Sequence, residues 1–243
     1  MKILVIGESC QDIFEYGHSY RLCPDAPVPV FNPIKKIVNG GMAKNVYKNI
    51  LSLKKDAFLH TNKNWKTITK TRYIDFKTNH MFIRIDTNDN KYGKAKLENI
   101  NFDLYDGIII SDYNKGFLSE DDIEYISKKH LVTFLDTKKP LGPWCEDISF
   151  IKINNFEYER TRNTITNKIL NNLVITIGPD GCIYRDIIYP VAKVEIKDSS
   201  GAGDTFIAAL AIKYIETKSS EKAVVFANEC ATKVVQRRGV STV

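Results

Sequence analysis

Six short aliphatic runs recur along this chain, at residues 3–7, 57–60, 107–111, 132–136, 150–153 and 174–177, and helical patterns begin near Met42, Ser119, Gly201 and Ser220. The runs are continuous in Ile, Val and Leu rather than alternating, which is the pattern of strands buried on both faces. A parallel sheet covered by helices buries such strands twice, and the helical segments supply right-handed crossovers. The chain therefore reads as an α/β fold with a mostly parallel central sheet flanked by helices. Ser119, followed by Glu120, Asp121 and Asp122, reads as an N-cap with the acidic first turn that the helix dipole favours. Gly239 after Arg237 and Arg238 reads as a helix end. At 243 residues the chain has room for one such domain over 1–243.

Two regions break the rhythm. Residues 12–38 carry alternating segments and prolines at 24, 27, 29 and 33, and residues 67–86 carry two more alternating segments. Alternation suits half-exposed strands, and proline belongs on sheet edges. The two regions read as one small sheet set off from the main domain, the other reading being a pair of surface hairpins.

Bulk properties narrow the classes. No apolar run reaches the roughly 18 residues that a membrane span needs. Residues 1–7 run straight into Glu8 and read as a first strand, not a signal peptide. The five cysteines (10, 23, 145, 182 and 230) are widely spaced with no C-x-x-C, which points to a reducing cytosol and away from disulfides or structural zinc. The formal charge of +6 comes from scattered pairs such as Lys35-Lys36 and Arg237-Arg238. Pairs of this kind are solvated surface, so neither nucleic acid nor a membrane is an expected partner.

The segment with chemistry is Asp198-Ser-Ser-Gly-Ala-Gly-Asp204-Thr-Phe206, directly before a strongly apolar helical stretch. Gly201, Ala202 and Gly203 are small enough to let free N–H groups at a helix start close on an anion. Asp204 places a carboxylate one residue beyond. An anion cradle beside a base suits phosphoryl transfer to a hydroxyl. The plainer reading is a Gly-rich turn with an acidic first-turn residue. Asn154-x-x-Glu157 is open in the same way, since Asn154 could cap a turn and Glu157 be a solvated helix residue. Gly178-Pro179-Asp180-Gly181 is a good turn sequence in its own right. Asp12 follows the first strand, where open α/β sheets bind ligands, or it caps a turn.

These motifs stand in a fixed order: Gly7 and Asp12, then Asn39-Gly40-Gly41-Met42-Ala43-Lys44-Asn45 at a helix start, Asn154-x-x-Glu157, Thr176-x-Gly178-x-x-Gly181, residues 198–204, and Ala227-Asn228. The order resembles the ribokinase-like, or PfkB, carbohydrate kinase family over most of the chain. Arg21-Leu-Cys-Pro-Asp-Ala-Pro-Val-Pro-Val30, Ser111-Asp-Tyr-Asn-Lys-Gly116, Arg84-Ile-Asp86 and Asp136-Thr-Lys138 are similar to the heptose-7-phosphate kinase subgroup, and residues 239–243 to the end of its kinase domain. On that resemblance the chain is expected to be a stand-alone kinase without a cytidylyltransferase half.

The resemblance implies a three-layer fold whose small sheet is a lid over the sugar. It implies Asp204 as general base and Gly201, Ala202 and Gly203 as the anion hole. Asp12, Gly40, Gly41 and Asn45 would contact the sugar, and Arg21, Lys70, Arg72, Arg84, Lys115 and Lys138, in the lid or at strand ends, are candidates for a substrate phosphate. Asn154, Thr176, Gly178, Gly181 and Asn228 would border the nucleotide. Glu157 would organise Mg²⁺ through water, and Asp198 and Ser200 match the loop that holds a monovalent cation such as K⁺ in some relatives. ATP and Mg²⁺ are the implied cofactors, a sugar or sugar phosphate the partner, a lid-paired homodimer the implied assembly and the cytoplasm the compartment. The expected reaction is phosphorylation of D-glycero-β-D-manno-heptose 7-phosphate to the 1,7-bisphosphate. The alternatives are another sugar, as in ribokinases or fructokinases, or a shortened relative that binds without turnover. A dinucleotide-binding oxidoreductase fails, because Ile6-Gly7-Glu8-Ser9-Cys10 lacks the further glycines of that fingerprint. Two departures stand out. About one βαβ unit, roughly 30 residues, is missing between the Gly-Gly helix and the segment beginning near Thr67. Lys44 and Tyr47 stand where the family has small residues.

Overall fold

The computed structural model describes all 243 residues. Strand β1 (Lys2–Gly7) leads into β2 (Ser9–His18) and β3 (Asn32–Met42), followed by helix α1 (Ala43–Ser52), β4 (Asp56–His60), β5 (Thr69–Asp75) and β6 (Met81–Thr87). Then come β7 (Gly107–Asp112), α2 (Glu120–Lys129), β8 (Thr133–Thr137), β9 (Phe150–Asn154), α3 (Asn155–Thr161), α4 (Asn167–Asn172) and β10 (Leu173–Thr176). Strands β11 (Cys182–Tyr184) and β12 (Ile187–Tyr189) and helices α5 (Ala202–Thr217) and α6 (Ser220–Val234) complete the chain.

The strands form an eight-stranded sheet in the order β12-β11-β10-β9-β8-β7-β1-β4 and a four-stranded sheet in the order β3-β2-β5-β6. The large sheet is parallel from β4 to β10, and β11 and β12 run antiparallel at its edge. All six aliphatic runs are strands of this sheet. Along β1 the side chains alternate between two cores: Ile3 and Val5 pack with α1, α5 and α6, whereas Leu4 and Ile6 pack with α2 on the other face. Helix α5 is buried without a break from Asp204 to Ile212, as a helix enclosed by neighbours must be, and it packs against α1 and α6. Ser119 caps α2 in a reciprocal box with Asp122. No helix is long and apolar enough to cross a membrane.

The two alternating regions form the four-stranded sheet, with wider bounds than the sequence indicates: β2 begins at Ser9 and β3 runs to Met42. Its inner face buries Phe14, Tyr16 and Ile74. One register row of the outer face runs Val38, Ile13, Thr71, Ile85. Gly40 and Gly41 lie at the end of β3 rather than in the helix start itself. Strand β4 is the edge strand opposite β12 in the large sheet, and residues 61–68 carry the chain straight from it into β5 with no further strand or helix.

Candidate active site

The parallel strands end on one side of the large sheet, and a cleft of about 840 Å³ opens there between β8, β9, β10 and the N-terminus of α5. Crevices at the carboxyl ends of parallel strands are the ligand sites of open α/β sheets. Gly201 stands at the N-cap of α5 with φ 83°, a left-handed conformation that glycine adopts at no steric cost, and no side chain caps the helix. The Ala202 amide is turned to the Ser199 carbonyl at 3.2 Å, while the Gly203 amide meets no carbonyl. Of the three residues expected to form an anion hole, Ala202 thus has its amide engaged and Gly203 has its amide free. A Cβ on Gly203 would lie 2.7 Å from Lys152 Nζ, so this glycine lets an ammonium stand over the helix N-terminus.

Asp204 is 6% exposed and lines the cleft. Asn45 Nδ2 donates to its Oδ2 at 2.8 Å and the Tyr113 hydroxyl donates to its Oδ1 at 3.0 Å. Burial pushes this carboxyl up to about 6, helped by the neighbouring Asp136 and opposed by Asn45, Lys152 and Tyr113. A carboxyl poised there is ionised at neutral pH yet more basic than an exposed aspartate. Burial and the Asp204 charge hold the Tyr113 phenol protonated well above its ordinary range.

Lys152 and Asp136 form a buried ion pair at 2.9 Å beside the glycine-rich turn before α5. Asp136 Oδ1 is buried with no hydrogen-bond partner, and the residue lines the cleft. Lys138 also lines the cleft and pairs with Glu157. Burial draws its ammonium down, but Asp136, Glu157 and Asp204 outweigh burial and leave it above its usual range. Asn154 accepts from the Glu157 amide and the Glu157 carboxylate accepts from the Asn154 amide, each at 2.8 Å. The motif is thus a capping box at the start of α3, and Glu157 is a mostly buried partner of Lys138 rather than a solvated helix residue.

Thr176, Gly178, Gly181 and Asn228 line the far half of the cleft with Asn154. Asn228 Nδ2 donates to the Tyr189 carbonyl at 2.8 Å and so ties α6 to β12. Asp198 does not line the cleft: its carboxylate accepts from the amides of Ser200 and Gly239, at 2.8 and 3.0 Å, and shapes the loop before α5.

The other expected residues lie towards the small sheet. Asp12 accepts from Arg72 at 2.8 Å, and a Cβ on Gly41 would sit 2.4 Å from its Oδ2. The inner-face row Asn39, Asp12, Lys70, Asp86 lies beside the row Ile37, Phe14, Arg72, Arg84. Gly40 instead makes room for the stem of Lys44, whose ammonium stands 3.7 Å from the centre of the Trp65 ring. Lys115 and Lys70 share Asp89, at 2.5 and 3.3 Å. Arg21 is exposed in the loop between β2 and β3, apart from the cleft. Asp204 and Asn45 are brought together, and Asp12 and Gly41 likewise, while Arg21 joins neither group.

Sequence reasoning did not assign Tyr113, Asp136 and Lys152 to the site. The first two sat inside quoted motifs, and Lys152 had no signal beyond its place in an aliphatic strand, where a buried lysine requires a partner.

Residues 146–243 match the family described as pfkB family carbohydrate kinase. The chain is 31% identical over 293 residues to the bifunctional protein HldE of Helicobacter pylori strain J99, a match covering 98% of this chain and 63% of that protein. It thus spans less than two thirds of the relative's length. The aligned stretch is longer than the chain itself, so the relative carries segments with no counterpart here. Among solved structures, ribokinase from Thermotoga maritima superposes with a TM-score of 0.74 at 18% identity, covering 98% of this chain and 94% of that one. Arabidopsis thaliana ribokinase, complexed with ribose and ATP, superposes with a TM-score of 0.69 at 16% identity, covering 98% and 93%. The fold is ribokinase-like.

Proposed function

We propose that this ribokinase-like, PfkB-type carbohydrate kinase transfers the γ-phosphate of ATP to a sugar hydroxyl, and that its acceptor is D-glycero-β-D-manno-heptose 7-phosphate. The observation that carries the reading is the placement of Asp204: a buried, basic carboxylate at the mouth of an uncapped helix N-terminus, in a cleft large enough for a nucleotide. ATP would lie along Asn154, Thr176, Gly178, Gly181 and Asn228. The sugar would lie between Asp204 and the inner face of the small sheet, held by Asp12, Asn45 and the backbone at Gly41.

The transferring phosphoryl group would meet the Gly203 amide, the α5 dipole and the Lys152 ammonium, which together stabilise charge on its equatorial oxygens. Asp204 takes the proton of the attacking hydroxyl. The lone buried oxygen of Asp136 fits a water of a hydrated magnesium ion, and no cluster of acidic, histidine or cysteine side chains could hold the ion directly. Mg²⁺ would neutralise the β- and γ-phosphate charges. Glu157, whose carboxylate already serves Lys138 and the Asn154 amide, would reach the ion only through water. A monovalent cation near Asp198 and Ser200 is read by comparing transfer in K⁺ and Na⁺.

The heptose reading is supported by the HldE relative and by Lys70, Arg72, Arg84 and Lys115 gathered on the sugar side, where a second phosphate needs cations. The exposed outer face of the small sheet, with Val38, Ile83 and Ile85 each about half accessible, supports a homodimer through that sheet. Sedimentation of Ile83→Lys as a monomer beside a wild-type dimer tests it. The main test is a screen of sugars and sugar phosphates with ATP and Mg²⁺. Preferred turnover of heptose 7-phosphate supports the assignment, and preference for an unphosphorylated sugar redirects it. Nucleotide binding without transfer to any acceptor favours a binding protein.

A further inference from the structure

Both oxygens of Asp204 already carry a donor, Asn45 Nδ2 on one and the Tyr113 hydroxyl on the other. A base must receive the acceptor's proton on one of them. Asn45 is fully enclosed on α1 and has nowhere to go. Tyr113 is different. It follows β7 directly, is half-buried and lines the cleft. Its backbone is pinned, because the amides of Tyr113 and Lys115 donate to the buried carboxylate of Glu8 at 2.9 and 3.0 Å. The turn beyond it is held by left-handed Asn114 and Gly116. A fixed main chain carrying a phenol at the edge of an open cleft leaves the ring free to change rotamer while the turn stays in place.

Resting on the kinase reading above, we propose that the Tyr113 hydroxyl occupies on Asp204 the place that the acceptor's hydroxyl takes, and keeps water from that place until the acceptor displaces it. The need is chemical. A water molecule hydrogen-bonded to Asp204 Oδ1 would attack the γ-phosphorus of bound ATP, the bond from γ-phosphorus to the bridging oxygen would break, and the water's proton would pass to Asp204. The products would be ADP and inorganic phosphate, with no sugar phosphorylated. Tyr113 fills the position without reacting, since its proton is held far above neutral pH. The Lys70 and Lys138 ammonium groups, 5.9 and 5.8 Å from the ring centre, leave it a cationic surround that a phosphorylated acceptor complements as it enters.

The test is phosphate release from ATP and Mg²⁺ with no sugar present, comparing wild type with Tyr113→Phe. Loss of one hydrogen bond of ordinary net strength corresponds to about a tenfold change, so the variant should hydrolyse ATP roughly ten times faster. An added acceptor should suppress that hydrolysis, because it excludes water by itself. A purely structural role for Tyr113 would lower every rate and raise none. Hydrolysis by Tyr113→Phe at or below the wild-type rate, with ATP affinity retained, overturns the proposal. Tyr113→Leu provides the same comparison if the phenylalanine variant does not fold. The kinase reading fails separately, if the wild-type protein transfers phosphate to no acceptor in the screen.

Discussion

Asn45 donates its side-chain amide to Asp204 at 2.8 Å across 159 positions of chain. The bond joins the first turns of α1 and α5, the two helices that start at the glycine-rich segments. It turns one carboxylate oxygen away from the cleft and leaves the other, on Tyr113, for chemistry. A further bond between the same helices, from Thr205 Oγ1 to Asn49 Oδ1 at 3.0 Å, holds the pair in register. Four expectations follow from the surroundings of this contact.

Replacing Asp204 by asparagine removes the base and leaves the shape. Phosphate transfer should fall by about 10²–10⁴-fold, while nucleotide affinity measured by calorimetry stays within a few-fold. The same variant should be more stable than wild type at pH 8. The Asp204 carboxyl is raised from 3.8 to about 6 in the folded chain. Its proton-linked stability is therefore fully present below the unfolded value and is lost as pH rises through about 6. Above that pH the ionised carboxylate disfavours the fold by about 3 kcal/mol, which asparagine relieves. Thermal midpoints of the two proteins should converge near pH 4 and separate by pH 8. Parallel curves would remove burial as the cause of the raised carboxyl. Wild-type activity should rise through the same interval near pH 6.

Gly203→Ala places a methyl group 2.7 Å from Lys152 Nζ, the far end of a flexible side chain. The ammonium can shift, so the fold should hold and the thermal midpoint should move little. On the kinase reading the transferring phosphate then loses its cation, and kcat should fall by about tenfold or more, as for loss of one preorganised charge in an anion hole. An unchanged kcat would detach Lys152 from the reaction.

Lys152→Met leaves Asp136 buried without its ion pair. That should cost about 3–5 kcal/mol in chemical denaturation. Adding Asp136→Leu removes the stranded charge and should restore most of the stability without restoring activity. Recovery of both would mean that the pair is only a packing element.

Gly41→Ala puts a methyl group 2.4 Å from Asp12 Oδ2, with Cys10 Sγ 3.0 Å away. Asp12 must then leave its place beside Arg72. The KM for the sugar should rise by about tenfold while the KM for ATP holds, because the half of the cleft proposed for the nucleotide lies on other strands. Equal changes in both constants would place Asp12 outside the sugar site.

Much of this was legible in the chain because it is governed by local rules. The six aliphatic runs became strands of one sheet, since continuous β-branched residues are stable only when both faces are covered. Ser119 capped its helix and Gly201 took a left-handed turn, because capping and backbone freedom act over a few residues. Asn154 and Glu157 show where such rules stop. Their spacing determined a capping box, but only the packing of β8 against β9 brought Lys138 onto Glu157.

Asp204 stood out by its motif, and its partners did not. Tyr113 and Asn45 meet it because β7, α1 and α5 converge at the carboxyl end of the sheet, and the pairing of Lys152 with Asp136 follows from the register of β8 on β9. Residues near one another in the chain set which segments are strands and helices and where a glycine opens the start of α5, because propensity, periodicity and capping act over short spans. The tertiary structure alone decided which charges share the cleft and how basic Asp204 becomes, because burial and contact across more than a hundred residues arise only when the layers close.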